Sequence, residues 1–356
     1  MAAAMFCGTA VAHANPQAPI GRTWASAINN GGVAVGSSSE RAVRWETDGR
    51  ITVLNGLYEP AGAYANEVNE SGVVVGDSDV EHTVNFHAVR WSASGQLTDL
   101  EPGSYDLSSA SDVNASGDAV GWTWHDGEAL RWSLNGQRTV LPLLPGGDSG
   151  GGWGINDDGY MTGWSDDGAG TRGRAVRWAP DGTVTRLGAV PGEEASWGGD
   201  INGSGTVVGT VTISGQTQAV RWSPNGAPTM LGTLPGHVAA SPYRINSGGV
   251  AVGTSTAADG TGKAVRWDAN GTITALPLLL GSTHSNAVGI NSAGVIVGDV
   301  TINGVPHAVR WNTDGTVVDL GGLPPRSARA AARGQSPSCF TGPRLPGTCP
   351  KHALLP

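Results

Sequence analysis

The chain has 356 residues, enough for one large all-β domain or two ordinary ones and enough to bury a sizeable core. Fifty-six glycines, 13 tryptophans and only 14% charged residues exclude a helical bundle and fit short strands joined by tight turns. The net charge of −9 is uneven: residues 321–356 carry five cations and no acid, which leaves an acidic body at −14 and argues against nucleic acid or an anionic membrane as partner.

Residues 1–14, MAAAMFCGTAVAHA, form a short apolar run that ends in the small-residue pattern of a signal-peptidase site, without the positive segment that normally precedes one. A true start upstream and a remnant are both open; the expectation is a secreted, extracellular protein. No run of 18 apolar residues occurs, so no membrane insertion is expected. Cys7 would leave with the signal, Cys339 and Cys349 could pair near the C-terminus, and residues 15–323 hold no cysteine to staple them.

From residue 24 onward one unit recurs seven times. An Arg-Trp pair places its tryptophan at Trp45, Trp91, Trp132, Trp178, Trp222, Trp267 and Trp311, at spacings of 41 to 46 residues. Glycine follows each tryptophan by four residues and leucine comes five later, from Gly49 and Leu54 to Gly315 and Leu320. Upstream, every unit has Asn-x-x-Gly, beginning at Asn29, Asn69, Asn114, Asn156, Asn202, Asn246 and Asn291. A second glycine then closes a run such as VVVG, from Gly36 to Gly298.

These positions dictate local structure. Asn opening a four-residue turn bonds the backbone with its side chain, and glycine at the fourth place accepts positive φ, so the flanking segments form a hairpin. Trp-x-x-x-Gly, often with Asp or Asn before the glycine, predicts a second hairpin. Each unit thus reads as four short strands, ASAIN, VAVGS, RAVRW and ITVL in the first copy. Such strands cannot bury their faces alone, so units must pack on one another. About 44 residues in four strands is the period of a propeller blade, and the expected fold is an all-β seven-bladed β-propeller over residues 15–323, with an open β-solenoid as the alternative. In AVRW, alternation puts Val and Trp on one face, Ala and Arg on the other. A recurring arginine there is structural, and needs a turn aspartate, backbone carbonyls or a neighbouring ring as partner.

The unit resembles the bacterial extracellular HAF repeat, named for a His-Ala-Phe triplet before the tryptophan. The triplet appears as His87-Ala88-Val89 and His307-Ala308-Val309; elsewhere its first place holds Arg41, Glu128, Arg174, Gln218 or Lys263, and phenylalanine never occurs. The resemblance covers about residues 24–323. It implies a secreted, propeller-like β protein and brings no activity, substrate or catalytic residue. Because five of the seven units lack the histidine, it is not a repeated metal ligand.

Residues 146–151, GGDSGG, spell the run that carries a protease's nucleophilic serine. The repeat register places them instead in the linker between units three and four, and no upstream histidine has a protease's context, so Ser149 is expected in a Gly-rich loop without a catalytic role. Asp77, Asp79, Glu81 and His82 fall in what reads as a loop after the second strand of unit two. A calcium or other divalent site on Asp77, Asp79 and Glu81 and a solvated acidic loop are the two readings.

Aromatic residues outside the repeat pattern break its symmetry. Trp24, Tyr64, Trp153, Trp197 and Tyr243 precede or enter the first strands of their units, Trp122 and Trp164 follow the second glycine, and Trp124 lies in the next loop. Glu67, Asp112, Asp200 and Arg244 share one position, two before the Asn. Together they suit a polar, aromatic-lined face at the channel mouth, where a sugar would stack; the alternative is that the rings fill space between blades. Residues 324–356 are Pro-, Arg- and Ala-rich without periodicity and read as a disordered basic tail or a frame-shifted end. The expectation is a secreted, monomeric, non-catalytic binding or scaffold module for a carbohydrate or cell-surface ligand. The rival is a propeller glycan hydrolase or lyase using loop carboxylates at the channel mouth; a structural surface protein is the third reading.

Overall fold

The computed structural model describes residues 21–59, 61–80, 85–104, 106–168 and 173–326. The expectations for residues 1–14 and for the tail beyond residue 326, like Glu81 and His82 of the acidic segment, lie outside the described residues. The chain is an all-β seven-bladed propeller. Each blade is one antiparallel four-stranded sheet with its strands in sequence order, and the seven span residues 23–54, 63–99, 108–140, 150–186, 193–230, 237–275 and 282–319.

The turns form as the residue types require. In blade one, Gly32 N–H donates to Asn29 O at 3.0 Å, Asn29 N–H to Val33 O at 3.1 Å, and Val33 N–H to Asn29 Oδ1 at 3.0 Å. Gly32 sits at φ +81°, a conformation that glycine adopts freely. Gly49 closes the second hairpin at φ +85°. The glycine of the VVVG run serves another purpose. The first strand of each blade bulges opposite it, and a Cβ at Gly36, Gly76, Gly121, Gly163, Gly209, Gly253 or Gly298 would fall only 1.9 to 2.0 Å from a carbonyl oxygen of that strand.

The core lies between blades. Seven apolar clusters fill seven interfaces, and each pairs the Ala face of one blade with the Val–Trp face of the next. At the interface of blades one and two, Val35, Ala42 and Leu54 meet Val74, Val89 and Trp91. The seven repeat tryptophans are 0 to 3% exposed. Six donate their indole N–H to a backbone carbonyl just past the leucine of the preceding blade, as Trp178 does to Pro142 at 2.6 Å; Trp132 donates instead to the Glu101 carboxylate at 2.6 Å. The repeat arginines mostly reach over the same interface. Arg90 donates to the carbonyls of Trp132, Ser133 and Leu134, and Arg221 to those of Asp268 and Ala269.

The ring closes without a shared strand. Blade seven packs on blade one through Val297 and Ala308 against Ala25, Val43 and Trp45. Trp45 Nε1 donates to Gly321 O at 3.2 Å, and Ala308 N–H to Thr23 Oγ1 at 2.7 Å. The first strands of adjacent blades lie against one another all round the axis, so they line the central channel. At one end of it the repeat asparagines perform a second task. Each Nδ2 donates to the backbone carbonyl of the next blade's asparagine at 2.9 to 3.3 Å, from Asn29 to Asn69 and on to Asn291, which returns to Asn29.

Candidate functional site

Above the asparagine ring the channel loses its sevenfold regularity. The layer next to the asparagines holds Ala27, Glu67, Asp112, Gly154, Asp200, Arg244 and Gly289 from successive blades. Arg244 Nε donates to Glu67 Oε2 at 2.9 Å. Asp112 accepts from Val113 N–H and, across the interface, from Ile155 N–H, both at 2.7 Å; Asp200 accepts from Ile201 N–H and Ile245 N–H at 2.8 Å. Burial raises all three carboxyls, Asp112 most because the Glu67 charge adds to it. Burial alone would lower the guanidinium of Arg244, but Glu67, Asp200 and Asp112 together hold it above its ordinary range. Two of these acids therefore clamp adjacent blades and the third holds the cation.

The next layers open into a cavity of about 240 Å³. Directly paired residues of the first two strands form one of them: Trp24 with Ser37, Tyr64 with Asp77, Ser109 with Trp122, Gly151 with Trp164, Trp197 with Thr210, Ser241 with Thr254 and Asn286 with Asp299. In the first five pairs one member is a large ring and the other is small or short. The last two pairs are polar. Trp153 and Tyr243, three residues before their asparagines, add rings between these pairs and the charged floor.

Of the twelve residues expected at the mouth, Trp24, Tyr64, Trp122, Trp153, Trp197, Tyr243 and Arg244 line the cavity. Trp122 lies 6.4 Å from Trp153 between ring centroids, tilted by 41°. Trp124, half exposed, stands outside against Trp122 at 6.2 Å. Trp164 is set back from the opening, where a Cβ on Gly173 would lie 3.0 Å from its ring and 3.3 Å from the indole nitrogen of Trp197. Glu67, Asp112 and Asp200 sit in the layer beneath the cavity, fastened as above.

Asp77 and Asp79 are on the second strand of blade two, residues 74–79, and not in a loop as the sequence suggested, because the hairpin continues three residues past the glycine. Asp79 accepts from Gly62 N–H at 2.7 Å. Asp77 turns into the cavity, accepting from Ser109 Oγ at 2.8 Å and Asn66 Nδ2 at 3.4 Å. Among the described residues no group of three or more His, Cys, Asp or Glu side chains is arranged to hold a metal ion. Asp299, which sequence reasoning passed over, also lines the cavity and accepts from Asn286 Nδ2 at 3.1 Å. Burial pushes Asp77 up to about 7 against the opposing hydrogen bonds of Ser109 and Asn66, and Asp299 up to about 7 against that of Asn286. Comparing the residue after the second glycine across all seven copies would have exposed Asp299, since it shares that place with Asp77.

Ser149 lies where the repeat register places it. Its hydroxyl donates to Asp166 Oδ2 at 2.9 Å in the linker between blades three and four, and Gly150 already begins the next strand. The two triplet histidines bind acids of the fourth strand: His87 Nδ1 lies 3.0 Å from Asp99, and His307 Nδ1 3.0 Å from Asp319.

No protein family and no curated protein matches the sequence. Solved propellers do match in fold. Virginiamycin B lyase from Staphylococcus aureus superposes with a TM-score of 0.51 at 15% identity, over 79% of this chain and 91% of its own. A Mycobacterium tuberculosis puromycin-hydrolyzing peptidase gives 0.57 at 12% identity, over 86% of this chain but 53% of its own. TolB from Acinetobacter baumannii gives 0.50 at 15% identity, over 80% and 77%. Likeness at this identity establishes the propeller fold alone.

Proposed function

We propose that the protein is a non-catalytic, secreted binding module that takes a single sugar ring into the mouth of its channel. The observation that carries this is the cavity wall: six rings, from Trp24, Tyr64, Trp122, Trp153, Trp197 and Tyr243, converge on about 240 Å³ together with Ser, Thr, Asn and Asp side chains. That volume is below the ~300–1,000 Å³ of drug-sized sites and suits a ligand of one ring. Flat indole faces receive the apolar C–H face of a pyranose, and short polar groups at the rim receive its hydroxyls. Calcium and a cell-surface partner belong to the same reading as conditions of display.

The test is a glycan array probed with the whole protein, with calcium and with chelator, followed by tryptophan fluorescence titration of each hit. Binding should quench the indoles of the wall, and Trp153→Ala should weaken it at least about tenfold, the loss of roughly 1.4 kcal/mol or more of ring contact. Silence on the array, or hits that Trp153→Ala leaves untouched, would move the reading to a structural surface protein. Turnover of a bound glycan would favour the hydrolase or lyase, for which Asp77 and Asp299 are the cavity's own carboxyls.

A further inference from the structure

The cavity is polarised, because ring order fixes which wall faces which. Blades seven, one and two stand together and contribute Asp299, Ser37 and Asp77; blades three, four and five stand opposite and contribute Trp122, Trp153 and Trp197. Both acids therefore lie on one wall, beside Trp24 and Tyr64, and the facing wall carries indoles without an acid. We propose that the ligand carries a protonated amine, held on the wall that carries Asp77 and Asp299 while its body lies on the facing indoles; within the sugar reading above, on which this rests, the ligand is a sugar with a free amino group.

Three features support a cation here. Asp77 and Asp299 are hydrogen-bonded only by neutral donors, Ser109 and Asn66 in one case and Asn286 in the other, and neither forms an ion pair among the described residues. Arg244, the cation of the cavity wall, is already engaged by Glu67, with Asp112 and Asp200 beside it, so it is not available as the counter-charge of Asp77 or Asp299. Burial disfavours both cavity carboxylates, and an ammonium beside either would relieve that cost. The ring wall adds to the attraction, since a cation near the face of Trp or Tyr is stabilised by the ring quadrupole. A neutral sugar would satisfy the rings and leave the two acids without a counter-charge.

Calorimetry of the full chain with glucosamine, N-acetylglucosamine, glucose and benzylammonium separates the outcomes. The proposal expects glucosamine to bind at least about tenfold more tightly than glucose or N-acetylglucosamine, a difference of about 1.4 kcal/mol. It expects that advantage to vanish in Asp77→Asn and Asp299→Asn, and a melting scan confirms that each variant is folded. The four ligands on the unaltered protein decide the matter even if a variant fails to fold. Equal binding of all three sugars would overturn the amine and leave the sugar site standing. Binding of benzylammonium with no sugar bound would keep the amine and overturn the sugar. Binding of none of the four would overturn both.

Discussion

The two ends of the channel are built from the same strands and obey opposite rules. At the asparagine end every blade contributes the same residue making the same bond, and the bond from Asn291 to Asn29 is indistinguishable in kind from the other six. At the mouth no two blades present the same pair in the same strand order, and five of the seven pairs set a large ring against a small or short partner. A position that recurs in every blade serves the interface every blade shares. A position that changes from blade to blade is released from that duty and is free to meet something other than protein. The charged layer between the ends is intermediate: it is irregular in sequence, yet Asp112 and Asp200 each fasten two blades.

The comparison can be broken most forcefully at the blade interfaces. Trp178→Ala removes a side chain that is 0% exposed together with its bond to Pro142, and should cost about 3–5 kcal/mol of unfolding free energy in a denaturant titration. A loss below about 1 kcal/mol would mean the interface is not the source of stability. Next in size is the asparagine ring. Asn202→Ala deletes the bond to Asn246 O and strands the amides of Ser204 and Thr206, for about 1–3 kcal/mol. At the mouth, Ser241→Ala should stay within about 0.5 kcal/mol, and equal costs at both sites would erase the distinction between the ends.

A pH dependence tests the cavity acids themselves. Asp77 and Asp299 bind a proton more tightly folded, at about 7, than the ordinary carboxyl at 3.8. The folded protein therefore holds more protons between those values, so stability falls as pH rises through that window and is regained on acidification. His87 acts in the same sense. Its bond to Asp99 raises it against burial, and the stabilisation is complete below the ordinary histidine value and lost as pH rises through the raised one. Melting temperature should thus be higher at about pH 5 than at about pH 8 through these groups, and Asp77→Asn with Asp299→Asn should flatten the difference. An unchanged slope in the double variant would show that the cavity acids do not titrate as their burial requires.

The fold was legible because its information is local and repeated seven times. Asn-x-x-Gly, Ala-Val-Arg-Trp (Ala-Leu-Arg-Trp in unit three) and Trp-x-x-x-Gly each specify a turn or a strand within a few residues, and the Ala and Val–Trp faces found each other as alternation required. The asparagine ring was hidden because its bonds join residues 40 to 46 apart, or 262 at the closure, while the turn alone already explained the residue. The aromatics of the mouth were legible as departures from the repeat. The fate of Glu67, Asp112 and Asp200 was not, since their acceptor roles depend on amides that a neighbouring blade brings near. Asp299 escaped notice because a single acid after VIVG looks like any strand-edge residue until the register sets it beside Asn286.

Each sheet is complete within one stretch of chain, and Gly21 N–H donates to Leu323 O at 3.1 Å where the two ends of the propeller meet. The torus accordingly has no privileged seam. Splicing those neighbouring ends through a short linker and opening the exposed Gly236 turn would renumber the blades without dividing any of them, as circular permutation requires. The first residue of such a molecule belongs to its gene and not to its architecture.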